Sequence, residues 1–135
     1  MGNIKDTQYF QAVQDKKMEV SDGENLAQVV ERFLTQNGYS YRHAGTIKEG
    51  FYLSAVKKKG MLAGFSIPKD LIQKIEEDNF IFDAEGYAGE DELGEFDFSQ
   101  GSGWMYSING IYSSYGLSKA HAQDGDIVRI RFTLA

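Results

Sequence analysis

Residues 103–110, GWMYSING, constrain this chain more than any other stretch. Trp104, Tyr106 and Ile108 alternate with Met105, Ser107 and Asn109, the two-residue period of a strand with one buried face. Asn109 and Gly110 both tolerate positive φ, so a tight hairpin turn follows and residues 111–115 continue as a short strand or loop. Asp124 and Gly125 turn the chain again. Ile127, Val128, Ile130, Phe132 and Leu134 then form a terminal strand whose Arg129, Arg131 and Thr133 face the other way. A paired sheet at the C-terminal end, carrying the only Trp of the chain, needs an apolar layer to lie on it.

That layer is legible upstream. Leu26, Val29, Val30, Phe33 and Leu34 recur at i, i+3, i+4, i+7 and i+8, one apolar stripe of an α-helix. Ser21 and Glu24 have the spacing of a capping box before it, and Gly38 suits the left-handed residue that ends it. Ahead of the helix, Tyr9, Phe10, Ala12 and Val13, a polar QDKK turn, then Met18 and Val20 predict a hairpin of two short strands. After it, residues 39–44 are extended, residues 45–50 turn, and FYLSAV over residues 51–56 alternates in part as a strand. Lys57, Lys58 and Lys59 with Gly60 make a solvated strand end. Pro68 opens a second, shorter helix with Leu71, Ile72 and Ile75 on one side. Phe80, Ile81 and Phe82 are taken as a brief strand, and residues 83–103 as a long acidic, glycine-rich loop. A hairpin, a helix and further strands give an α+β domain of β-grasp-like order, a mixed sheet packed on one main helix.

Size and charge limit what such a domain does. The 135 residues fit one domain, residues 1–135, able to bury a single core. With no cysteine, disulfides and thiolate metal sites are excluded. No apolar run approaches the roughly 18 residues of a membrane span, so no membrane insertion is expected of this chain. The opening MGNIKDTQYF lacks the apolar stretch of a secretory signal, and localisation is not read from that end. From residue 75 to residue 118 there are ten acidic residues and no Lys or Arg, within a chain of net charge −6. Such a surface repels phosphate backbones, so no nucleic-acid partner is expected.

GSGWMYSINGIYSSYGLSKAHAQDGDIVRIRFT resembles the C-terminal half of the domain of unknown function 4430 (DUF4430), the transcobalamin-like C-terminal family. MEVSDGENLAQVVERFLTQNG resembles its strand, turn and helix, and FYLSAV its following strand. The resemblance spans about 90 residues, with the GWMYSING and DGDIV pair its most specific part. It implies a β-grasp-like fold in a secreted or cell-surface protein of Gram-positive bacteria. It also implies kinship with the smaller lobe that closes over the corrin ring in eukaryotic cobalamin carriers. Residues 57–99 depart from the family pattern and are taken as an insert, and no cobalamin-contacting residue is carried over.

Trp104, Tyr106, Tyr112 and Tyr115 have two readings: core residues of an alternating strand, or an aromatic wall on which a ligand rests. Ser113 and Ser114 add adaptable hydrogen bonds to the second reading. Asp83, Glu85, Glu90, Asp91 and Glu92 supply the hard oxygen ligands calcium takes, though without EF-hand spacing. His43 and His121 belong to no metal-binding spacing, and no nucleophile–base pair is legible. The expected function is therefore a non-catalytic binding module, monomeric, for a small amphipathic ligand such as a corrinoid. The alternative is a structural or protein-interaction module of a surface protein, stabilised by calcium or not.

Overall fold

The computed structural model describes residues 9–10, 23–64, 66–112, 115–123 and 125–134. In chain order they form β1 (Tyr9–Phe10), α1 (Leu26–Gln36), β2 (Ser40–Ala44), β3 (Tyr52–Lys57), α2 (Lys69–Glu77), β4 (Glu92–Gly94), β5 (Gly103–Ile108), β6 (Ile111–Tyr112) and β7 (Val128–Thr133). Of the expected N-terminal hairpin only Tyr9 and Phe10 are described, and they pair antiparallel with β7. Ala12, Val13, Met18 and Val20 lie outside the described residues.

The α+β class is as expected, but the strands divide between two sheets rather than one. One sheet runs β1-β7-β5-β6 and the other β2-β3-β4. Every ladder among the described residues is antiparallel, so they do not form the mixed sheet of a β-grasp.

Helix α1 buries Leu26, Val29, Val30 and Leu34 on the stripe expected, and Ala27 with them. Its cap is one turn later than the Ser21–Glu24 spacing suggested. Asn25 accepts the Gln28 amide at 3.0 Å, and the Gln28 side chain accepts the Asn25 amide at 3.1 Å. Asn25 wins because it also ties down distant chain: its side-chain amide donates to Ile47 O at 2.7 Å and Ser118 O at 3.2 Å. Two further N–H groups of the first turn, Leu26 and Ala27, donate to Ala120 O and Leu117 O. The donors that a helix start leaves over are thus shared between the Asn25 cap and the loop of residues 117–120. At the other end Gly38, with φ +81°, completes a Schellman turn, Tyr39 N bonding Leu34 O and Gly38 N bonding Thr35 O.

The partial alternation of FYLSAV has a local cause. Arg42 lies opposite Ala55 but His43 lies opposite Leu53, which leaves Ser54 as a bulge. The extra residue shifts the side-chain parity, so Leu53 and Val56 both reach the core despite being three apart. Leu93 of β4, opposite Val56, joins them and is fully buried. On the opposite face, Glu92 bridges Arg42 at 3.1 Å and Lys57 at 3.3 Å.

In the larger sheet Trp104 lies opposite Phe132 and Tyr106 opposite Ile130, so these four share the core face. Asn109 and Gly110 form the expected two-residue turn, with φ +53° and +85°. The Asn109 side chain also accepts the Ile127 amide at 2.8 Å and donates to Asp126 at 3.0 Å. Among the described residues no helix is long and apolar enough to cross a membrane.

Candidate functional site

The aromatic stretch, open to a core and a ligand-facing reading, ties the two sheets together at Trp104. Trp104 is 5% exposed, its indole N–H donates to Leu93 O of the other sheet at 2.9 Å, and Phe132 meets it edge-on at 5.3 Å. Tyr106 is 6% exposed and its hydroxyl donates to Tyr115 O at 2.6 Å. Both rings are core, the first of the two readings that alternation allowed. Tyr112 is half-buried in β6 opposite Ser107, and the Tyr115 side chain is exposed. Ser113 and Ser114 lie outside the described residues. Of the four described, Trp104 and Tyr106 are therefore buried while only Tyr115 is well exposed.

The proposed calcium ligands are also dispersed to separate tasks. Asp83 accepts the Glu85 amide at 3.0 Å in a local turn, Asp91 accepts the Gly60 amide at 2.7 Å, and Glu92 is held by Arg42 and Lys57. Among the described residues no three His, Cys, Asp or Glu side chains converge on a point where a metal ion would sit. The clustering of Asp83, Glu85, Glu90, Asp91 and Glu92 in sequence is undone by the turns and the short strand between them.

A concave apolar site does exist, one segment earlier. Helix α2 starts after Pro68, whose fixed φ suits a helix start, and sends Leu71 and Ile75 into the core. Ile72, one position round the helix, is left facing sideways onto the segment before it and the loop after it. The first of these is pinned where Leu62 N bonds Glu90 O at 2.8 Å. The loop after α2 returns through Phe80, whose ring packs where any Cβ at Gly101 would stand, 2.3 Å from Cε1. Phe80, Ile81 and Phe82 are not the brief strand expected of them. Their backbone is irregular, with Phe80 N closing the helix onto Ile75 O.

Phe98 completes the site at a strained position. Its φ is +67°, a region that bulky residues avoid at a cost of roughly 1–2 kcal/mol. Two backbone bonds of 2.8 Å hold it there, Asp83 N to Phe98 O and Phe98 N to Gly86 O. Its ring then stacks on Tyr87 at 4.7 Å and lies nearly parallel to Phe82 at 6.2 Å. Strain of this kind persists where the surroundings over-determine it, and it is a feature of binding sites.

Leu62, Ser66, Ile67, Ile72, Phe82, Ala84, Tyr87 and Phe98 together line a cavity of about 270 Å³, open on one side. Three aromatic rings and the aliphatic side chains of Leu62, Ile67, Ile72 and Ala84 form its walls. The Ser66 hydroxyl and the Tyr87 phenol are the polar side chains there. A concave, mostly apolar lining with a few polar groups is the usual make-up of a small-molecule site.

Nothing in the sequence spacing marked this cavity, because its walls come from four separated segments. The one signal was compositional: Phe80 and Phe82, Tyr87, and Phe96 and Phe98 stand in or beside polar loops where solvent exposure would be unfavourable.

No curated protein and no solved structure matches the chain. A family model does match, over residues 66–134, just over half of the chain. That match contains α2, the cavity loop and the Trp104 hairpin, and it agrees with the resemblance carried by GWMYSING and DGDIV. The chain belongs to the family described as domain of unknown function (DUF4430).

Proposed function

We propose that this domain is a non-catalytic binding module of an exported or cell-surface protein, and that its site is the Phe82–Tyr87–Phe98 cavity. The observation that carries the reading is a concave, three-ring apolar cavity built on a strained backbone position. Its size narrows the ligand. Drug-sized sites occupy about 300–1,000 Å³, and an engineered cavity of roughly 150 Å³ admits benzene. At about 270 Å³ the cavity takes a group of one or two rings or a branched aliphatic chain. A whole corrinoid is much larger, so the cavity favours a smaller apolar group over cobalamin.

Methyl NMR on the Leu62, Ile67 and Ile72 side chains during titration with indole tests this. Shifts confined to these methyls, saturating at millimolar indole and lost in an Ala84→Trp variant that fills the mouth, are expected. Methyl signals that stay still throughout would overturn the assignment of the site. Titration with cobalamin in the same assay is expected to leave them unmoved.

A further inference from the structure

The cavity is smaller than a typical small-molecule site and stands within the most acidic part of the chain. Residues 62–98, which supply every wall residue, contain eleven Asp and Glu against two Lys, a net −9. The rest of the chain has nine acidic and twelve basic residues, a net +3. One of the two lysines, Lys74, is already paired with Asp78 at 3.6 Å, which leaves Lys69 as the basic side chain of α2 opposing this field. Asp83 and Glu85 alternate in sequence with the wall residues Phe82, Ala84 and Tyr87, and Asp83, Glu85 and Glu90 are all exposed. The same loop carries two more large apolar side chains at the surface, Ile81 at 74% and Phe96 at 66% exposure.

We propose that the cavity is an anchor pocket for a protein partner, taking one bulky apolar side chain from a basic peptide segment. The inference rests on the reading of the cavity as the binding site and adds the class of its occupant. Interfaces concentrate their affinity in a buried apolar or aromatic anchor seated in a pocket, while charges at the rim set partner choice and association rate. A volume of about 270 Å³ suits one such anchor. The exposed carboxylates of Asp83, Glu85 and Glu90, on the segments that carry the wall residues, select Lys and Arg on either side of it and repel an acidic segment. Ile81 and Phe96, exposed and close in sequence to the wall residues Phe82 and Phe98, add apolar surface on the same segments.

Fluorescence polarisation with three dye-labelled pentapeptides tests it: Lys-Lys-Trp-Lys-Lys, Glu-Glu-Trp-Glu-Glu and Lys-Lys-Ala-Lys-Lys. The first is expected to bind at least about tenfold more tightly than either of the others, and to weaken as salt rises through the range that screens rim charges. Ala84→Trp, which blocks the mouth, is expected to abolish binding, and Glu85→Lys to reduce it about threefold or more with the thermal melt unchanged. Both positions are exposed, so both variants are expected to fold as the parent does, which their thermal melts check. Equal binding of the two Trp peptides, or of the two basic peptides, would overturn the proposal. So would tight binding that survives Ala84→Trp. If indole moves the cavity methyls while no peptide binds, the anchor proposal fails and the cavity reading stands. If neither binds, both fail.

Discussion

Replacing Asn25 separates a helix cap from a tertiary clamp. As a cap, Asn25 accepts the Gln28 amide, and at an ordinary helix start Asn, Asp and Ser are nearly interchangeable, with Ala costing about 0.5–2 kcal/mol. Here the side-chain amide also donates to Ile47 O and Ser118 O, 22 and 93 residues away in sequence, from a position only 9% exposed. The carboxylate introduced by Asn25→Asp would keep the cap acceptor but turn an oxygen toward two carbonyls that lose their donors. Each unpaired buried acceptor costs about 1–3 kcal/mol, and the Ile47 contact, being partly solvated, sits at the low end. Asn25→Asp is therefore expected to lose about 2–4 kcal/mol at neutral pH, and Asn25→Ser about 1–3 kcal/mol. Asn25→Ala, which loses cap and clamp together, is expected to lose about 2–5 kcal/mol. Urea unfolding measures these as shifts of the midpoint with the m-value unchanged. If Asn25→Asp lies within about 0.5 kcal/mol of the parent, the clamp does not hold the two loops and the reasoning fails.

Trp104→Phe removes the bond to Leu93 O that joins the sheets and is expected to destabilise by about 1–3 kcal/mol in the same assay. In the parent protein, Trp104 emission should be blue-shifted and resistant to acrylamide quenching, since the ring is 5% exposed. Gly45→Ala places a Cβ 2.1 Å from Gly50 O at φ +71° and is expected to cost at least about 2 kcal/mol, whereas Gly116→Ala meets open space and should lie within about 0.5 kcal/mol of the parent. Burial, and then the hydrogen bonds to Glu31 and Glu95, push the Tyr41 and Tyr52 phenols up to about 12. Because the folded-state values lie above the unfolded one, this contribution is complete below about pH 10 and is lost as pH rises from there towards about 12. A Tyr41→Phe, Tyr52→Phe double variant should show a shallower alkaline loss of stability, and an identical profile would refute the link.

Legibility in the sequence follows the range of the forces involved. The α1 stripe, the Gly38 stop and the Asn109–Gly110 turn are set by neighbours within a few residues, and all were readable. The cap was not, because SDGE and NLAQ are both plausible starts, and the choice depends on carbonyls of Ile47 and Ser118 that no local spacing reveals. Strand β4 was hidden in the acidic loop: Glu92, Leu93 and Gly94 have little strand propensity, and their pairing rests on Lys57 and Arg42 supplied by neighbouring strands. Alternation correctly placed Trp104 and Tyr106 on one face, but whether that face met core or ligand depended on a second sheet lying over it. The cavity was least legible of all. Phe98 reaches it only through a left-handed backbone that sequence rules assign to glycine, and the opposing walls arrive from α2 and the segment before it.

The central claim is that the space between Phe82, Tyr87, Phe98 and Ile72 receives an apolar group from outside the molecule. A crystal grown with 5-bromoindole measures this directly through the anomalous signal of bromine. A bromine peak inside the cavity, with the indole ring against Phe82 or Phe98, is the result expected. An empty cavity in a crystal that holds bromoindole at other positions would contradict it.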